Sequence, residues 1–149
     1  MFAPKNILVP TDFSKFSDAA LKKAVDIATQ NDSSIYLLHV IDEQVRQCAV
    51  DYCLSIDVVN QIEKESIKAS NDKLKKEAAA IIKTKKIKVI FDVKNGVPSE
   101  VILSEQKAKK IDLIVIASHG KTGILKQLIG SVADKVIKGS KCPVIVVKP

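Results

Sequence analysis

The chain predicts an α/β fold: one doubly wound, open sheet of five parallel strands, Rossmann-like. Two observations carry this. Hydrophobic residues make up 46% of the 149 positions while aromatics make up only 4%, so the core must be built from Val, Ile, Leu and Ala, the composition of a parallel sheet covered on both faces. Five short, mostly continuous apolar runs alternate with segments of helical period to the end of the chain, the pattern of right-handed β-α-β crossovers. No linker or repeat interrupts it, and residues 1–149 read as a single domain.

The strands are expected at Asn6 to Val9, Ser34 to Ile41, Ile87 to Val93, Asp112 to Ala117 and Pro143 to Val147. The first helix is expected from Ser17 as N-cap, with Asp18 in its first turn and Leu21, Ala24, Val25, Ile27 and Ala28 as one apolar stripe. Between Asp42 and Lys86 the second half carries Leu74, Ala78, Ile81 and Ile82 on one helical face, whereas Cys48 to Ser55 shows no period and reads as an irregular excursion. A third helix starts near Pro98, suited to a first turn, and carries Val101, Ile102 and Ala108. A fourth runs from Ser131 to a stop at Gly139.

Composition excludes several functions. No apolar run approaches the roughly 18 residues that span a bilayer, and no charged segment followed by an apolar one opens the chain, so a cytoplasmic protein without a membrane partner is expected. Cys48, Cys53 and Cys142 have neither metal-ligand spacing nor a neighbouring His, which suits reduced thiols. The net charge of +7 comes from lysines spread over every segment, with Arg46 the only arginine. Specific nucleic-acid readers depend on Arg forks and aromatic stacking, so this is a solvated basic surface rather than a nucleic-acid site.

Chemistry concentrates in Ile111 to Ser131, where an apolar strand ends in a loop holding Gly120, Gly123 and Gly130. In an open parallel sheet, ligands bind beyond the carboxyl ends of the strands where strand order reverses; with the first strand central, Val9 to Asp12 and Ala117 to Gly120 flank that crevice together. Gly120-Lys121-Thr122 is not the tail of a Walker A loop, because Val115 stands where its first glycine belongs. VPTDFS follows the first strand in place of a dinucleotide fingerprint, and there is no nucleophile elbow. Gly120 allows close backbone approach to a phosphate, and Gly130, Ser131 and Val132 present amides at a helix start. Asp12 can accept from a ribose hydroxyl or an adenine amine, or form an Asx-turn that caps the first helix. Ser131 starts an S-x-x-D sequence ending at Asp134 and can be a capping-box serine. His39 reads as a satisfied core position and His119 as a loop histidine.

The opening NILVPTDFS, the second strand ending LLHV, the block IDLIVIASHGKTGILKQLIGSVADKVI and the closing KCPVIVVKP together resemble the universal stress protein family over nearly the whole chain. Its nucleotide-binding members carry Gly, two residues, Gly, nine residues, then Gly-Ser or Gly-Thr. Here Gly120, nine residues and Gly130-Ser131 match, and Ala117 replaces the first glycine. The resemblance implies strand order 3-2-1-4-5 and an adenine-nucleotide site. Pro10, Thr11 and Asp12 would face base and ribose, Val40 and Ile116 would border adenine, and Ala117, Gly120, Lys121, Gly130, Ser131 and Val132 would line the phosphates. It implies ATP, with Mg²⁺ on its phosphates, as ligand, a regulator or sensor in the stress response rather than a fast catalyst, and a homodimer through Pro143 to Val147. No catalytic residue or protein metal ligand is assigned. Two alternatives stay open: an interaction module of the same fold that has lost the nucleotide, with Ala117 as its cue, and a slow ATPase or adenylyl transferase, although the HxGH and SGGxDS loops of such enzymes are absent.

Overall fold

A computed structural model describes residues 1–84, 86–121 and 129–148. Its elements are β1 (Asn6–Pro10), α1 (Lys15–Asn31), β2 (Ser34–Asp42), α2 (Glu43–Asp51), α3 (Ile56–Ile81), β3 (Val89–Gly96), α4 (Pro98–Ala108), β4 (Leu113–Ala117), α5 (Ser131–Gly139) and β5 (Val144–Val147). The five strands form one parallel sheet in the order β3-β2-β1-β4-β5, as expected from the sequence.

The alternation of side chains along each strand divides the core in two. Ile7 and Val9 of β1, Ile35 and Leu37 of β2, and Leu113, Val115 and Ala117 of β4 pack with Leu21, Ala24 and Ala28 of α1 and Leu74 and Ala78 of α3. Leu8, Leu38, Ile114 and Ile116 point the other way, into a cluster with Ile102 of α4 and Ala133 and Val136 of α5. Both faces of the central strands are therefore dry, which is why their sequences read as continuous apolar runs. Each fully buried Leu or Ile stabilises the fold by about 1.5–3 kcal/mol.

Four local expectations are corrected. The N-cap of α1 is Ser14, not Ser17: Phe13 adopts a left-handed conformation (φ 64°), the chain turns there, and the Ser17 amide donates to Ser14 Oγ at 3.2 Å. Cys48 to Ser55 is not simply an excursion, because α2 occupies Glu43–Asp51 with Asp42 accepting from the Gln44 amide at 3.2 Å. Val50, Tyr52 and Leu54 of that region are exposed and add nothing to a buried helical face. Ser131 is the first residue of α5 and not its cap; Gly130 caps it without a side-chain bond, and Asp134 pairs instead with Lys138 at 2.8 Å. Gly139 lies inside α5, where a Cβ would come 2.5 Å from Leu103 Cδ1, so it serves helix packing rather than a left-handed stop.

Candidate functional site

At the carboxyl end of β1 the backbone remains tied to the sheet, with the Thr11 amide donating to Leu38 O at 2.8 Å. Thr11 is buried and its hydroxyl turns towards α3, donating between Glu77 Oε1 (2.9 Å) and Oε2 (3.0 Å). Thr11 Oγ1 also accepts from the Phe13 amide at 3.0 Å and lies 3.0 Å from Ser17 Oγ. Its carbonyl accepts from His39 Nδ1 at 2.8 Å, which fixes the ring proton on that nitrogen, since a carbonyl oxygen can only accept. The His39 ring packs 4.4 Å from the Phe13 ring.

Asp12 joins the two sides of the crevice. Its Oδ1 accepts from the Ser14 amide at 3.0 Å, an Asx-turn directly before α1, while Oδ2 accepts from the Lys121 amide beyond β4 at 2.7 Å. Half-burial opposes its charge, but donors from Ser14, Lys121 and Ser17 outweigh it and hold the carboxyl below the usual aspartate range. The Lys121 ammonium folds back over Phe13, 5.9 Å from the ring centroid, beside Lys73 at 5.5 Å. Burial pushes the His39 imidazolium down, the Thr11 carbonyl works against this, and both lysines reinforce it, so His39 is neutral at physiological pH.

Both described glycines of the loop stand where a side chain would crowd a neighbour. A Cβ on Gly120 would lie 2.7 Å from Asp12 Oδ2, and one on Gly130 3.0 Å from the Ser118 carbonyl oxygen. The Gly130 amide donates to that carbonyl at 2.6 Å, so it is not free for a phosphate as the sequence suggested. Ser131 and Val132, in the first turn of α5, have amides without partners inside the helix. Ser118 is fully buried, and its Oγ lies 2.8 Å from His119 Nδ1. Thr122 and Gly123 lie outside the described residues.

The alanine at the family's first glycine position is benign in this backbone. Ala117 ends β4, pairs with Val147 of β5, is not among the residues with positive φ, and packs its methyl into the α1–α3 core. Ile116 and Val40 both belong to the cluster on the opposite side of the sheet, Ile116 buried and Val40 half-buried. Pro10 closes β1 and is half-buried. Pro10 to Asp12 and Gly120 to Lys121 thus meet through Asp12, while Gly130 is tied to the end of β4 through Ser118.

Sequence reasoning passed over Glu77, although a signal was present. Leu74, Glu77, Ala78 and Ile81 lie at i, i+3, i+4 and i+7, so an acid interrupts the apolar stripe of α3. Two clefts elsewhere, a 570 Å³ groove between Lys64, Lys68, Lys75 and Phe91 and a 190 Å³ cleft lined by Ile41, Val50 and Ile62, include none of the crevice residues.

A doubly wound parallel sheet, with a glycine-shaped loop meeting an acidic strand end at its switch point, defines the Rossmann-like class of crevice-binding α/β domains. The chain belongs to the universal stress protein family, whose model matches residues 4–148. It is 37% identical to universal stress protein MJ0577 of Methanocaldococcus jannaschii, covering 97% of this chain and 94% of that one. It is 36% identical to MJ0531 of the same organism, covering 97% and 82%. The solved structure of MJ0577 superposes with a TM-score of 0.85 at 32% identity over 99% and 98% of the two chains. The fold is shared with a universal stress protein solved with cAMP (22% identical, TM-score 0.69) and with one from Archaeoglobus fulgidus solved with dAMP (21% identical, TM-score 0.61).

Proposed function

We propose that this protein binds an adenine nucleotide, ATP in the first instance, in the crevice between the ends of β1 and β4, and acts as a nucleotide-dependent regulator or sensor of the stress response. The observation that carries the reading is the Asp12–Lys121 bond, which closes the β1 end onto the β4 loop and keeps Asp12 ionised. Pro10, Thr11 and Asp12 would take the base and ribose, and Val40 and Ile116 the adenine edge. The phosphates would lie against Ala117, Gly120 and Lys121 on one side and the first turn of α5 on the other.

There the Ser131 and Val132 amides donate and the helix dipole favours the anion, while Gly130 supplies clearance and not a hydrogen bond. Mg²⁺ would arrive on the phosphates, because both Asp12 oxygens are already held by backbone amides. The residues assigned to the crevice bind and orient. None is placed as a general base or nucleophile for phosphoryl transfer. The relatives solved with cAMP and dAMP support the adenylate class. A cytoplasmic homodimer paired through the β5 edge completes the reading.

Nucleotide that binds only the folded state must raise its melting temperature. A rise at millimolar ATP, together with an adenylate released from the purified protein on denaturation, is expected. Absence of both would defeat the reading. The internal use of the Gly130 amide favours one second reading, a nucleotide-free interaction module. In that case Gly130→Val would leave partner binding unchanged in a protein that shows no thermal response to ATP.

A further inference from the structure

We propose, resting on the nucleotide reading above, that Glu77 is a positioning residue for the adenosine end of the site: its carboxyl holds the Thr11 hydroxyl, and thereby the turn that aims Asp12, and its gain or loss of a proton changes nucleotide affinity. The geometry is specific. Glu77 receives the Thr11 hydroxyl between its two oxygens at 2.9 and 3.0 Å. The same Thr11 oxygen takes the Phe13 amide, and the Thr11 carbonyl takes His39, so the residue immediately before Asp12 is fixed at its side chain and its backbone. Glu77 is the residue through which α3 hydrogen-bonds this turn, beside the Lys73 ammonium that α3 lays over Phe13.

The surrounding charges make that contact sensitive to protons. Asp18 of α1 and Asp12 of the β1–α1 turn act on the Glu77 carboxyl. The nearby cations, Lys73 one turn earlier on α3 and Lys121 beyond β4, lie over Phe13, and His39, packed on the same ring, is neutral. Burial comes first in raising the Glu77 carboxyl; the Thr11 bond opposes it, and Asp18 and Asp12 add to it, with the result that Glu77 is pushed up to about 7. An ionised Glu77 adds a third carboxylate charge to the place that must accept a polyanion, and protonation removes it. Affinity for ATP therefore rises as pH falls through neutrality, and bound ATP must in turn raise the proton affinity of Glu77.

The test compares wild type with Glu77→Gln by calorimetric titration of ATP at pH 6, 7 and 8. Proton uptake by ATP itself is common to both proteins and cancels. One unit charge about 10 Å away at an effective dielectric constant near 40 is worth about fourfold in affinity on complete titration, so from pH 6 to 8 wild type should lose about threefold more affinity than the variant. Parallel profiles in two proteins that both bind would overturn the role of Glu77 and leave the nucleotide reading standing. Failure of wild type to bind at millimolar ATP would overturn both. Carboxyl ¹³C NMR of wild type gives an answer independent of the variant's folding: the Glu77 titration midpoint should move up on adding ATP, and an unmoved midpoint counts against the proposal.

Discussion

Gly120 has no side chain where Asp12 needs the space: a Cβ there would stand 2.7 Å from Asp12 Oδ2, the oxygen that receives the Lys121 amide at 2.7 Å. Two segments more than a hundred residues apart in sequence thus meet at one carboxylate oxygen. The glycine permits that contact, and the contact gives the loop beyond β4 its position.

Gly120→Ala should consequently weaken nucleotide binding and cost the free protein the Asp12–Lys121 bond, while leaving the packed core intact. The Asp12 carboxylate must rotate away from an added methyl, giving up a charge-assisted bond worth about 1.5–3 kcal/mol. A Kd raised by about tenfold or more is expected. Melting temperature without nucleotide should fall by only a few degrees, the loss of that one bond, because Gly120 belongs to neither core cluster. Titration calorimetry with ATP, alongside thermal unfolding of the free protein, separates the two effects.

The Ala117→Gly exchange restores the family's glycine spacing, yet it should bring no gain in affinity. Ala117 is extended and its methyl fills the α1–α3 core, so the substitution removes packing and adds backbone freedom in a strand. The expected result is a loss of about 1 kcal/mol in stability with an unchanged Kd. A variant that bound ATP markedly more tightly would show that the methyl obstructs the ligand.

Much of this was legible in the sequence, for identifiable reasons. Parallel strands buried on both faces leave unbroken runs such as Leu113 to Ala117, and the glycine spacing is visible without coordinates. Cap positions were not, because Ser14 and Ser17 are equally suitable by residue type and the left-handed Phe13 decides between them. Helix α2 was missed because, at nine residues, it is too short for a helical period to stand out from the sequence. The Gly130 amide looked free because its acceptor, the Ser118 carbonyl, is twelve residues away along the chain and meets it only through the fold.

Glu77 should also mark the pH dependence of stability. Its ordinary value is 4.5 and the folded protein raises it to about 7, so between these limits the folded state holds more protons than the unfolded one. Its contribution is fully favourable below about pH 4.5, declines as pH rises, and stays at its minimum above about pH 7. The carboxyl is only half-buried, so solvent screening reduces the cost to about 1 kcal/mol, or about 2–4 °C. Glu77→Gln should melt with wild type near pH 4.5 and a few degrees above it at pH 8. A difference that does not vary with pH would remove Glu77 as the titrating group.

The open edge of β5 makes a separate prediction about assembly. The Pro143 and Val147 carbonyls accept from the amides of Ile114 and Ser118 respectively, so both face β4. In a parallel ladder the bonding direction alternates with each residue, and the amides of Val144 and Val146 therefore point away from β4 to the sheet edge. If two copies pair there about a two-fold axis, Val146→Pro removes a donor from the dimer ladder while sparing the bonds to β4. Sedimentation equilibrium should give twice the 16.2 kDa chain mass for wild type and a single chain mass for the variant. A wild-type protein that sediments as one chain, or a variant that remains paired, would show that β5 is not the dimer edge.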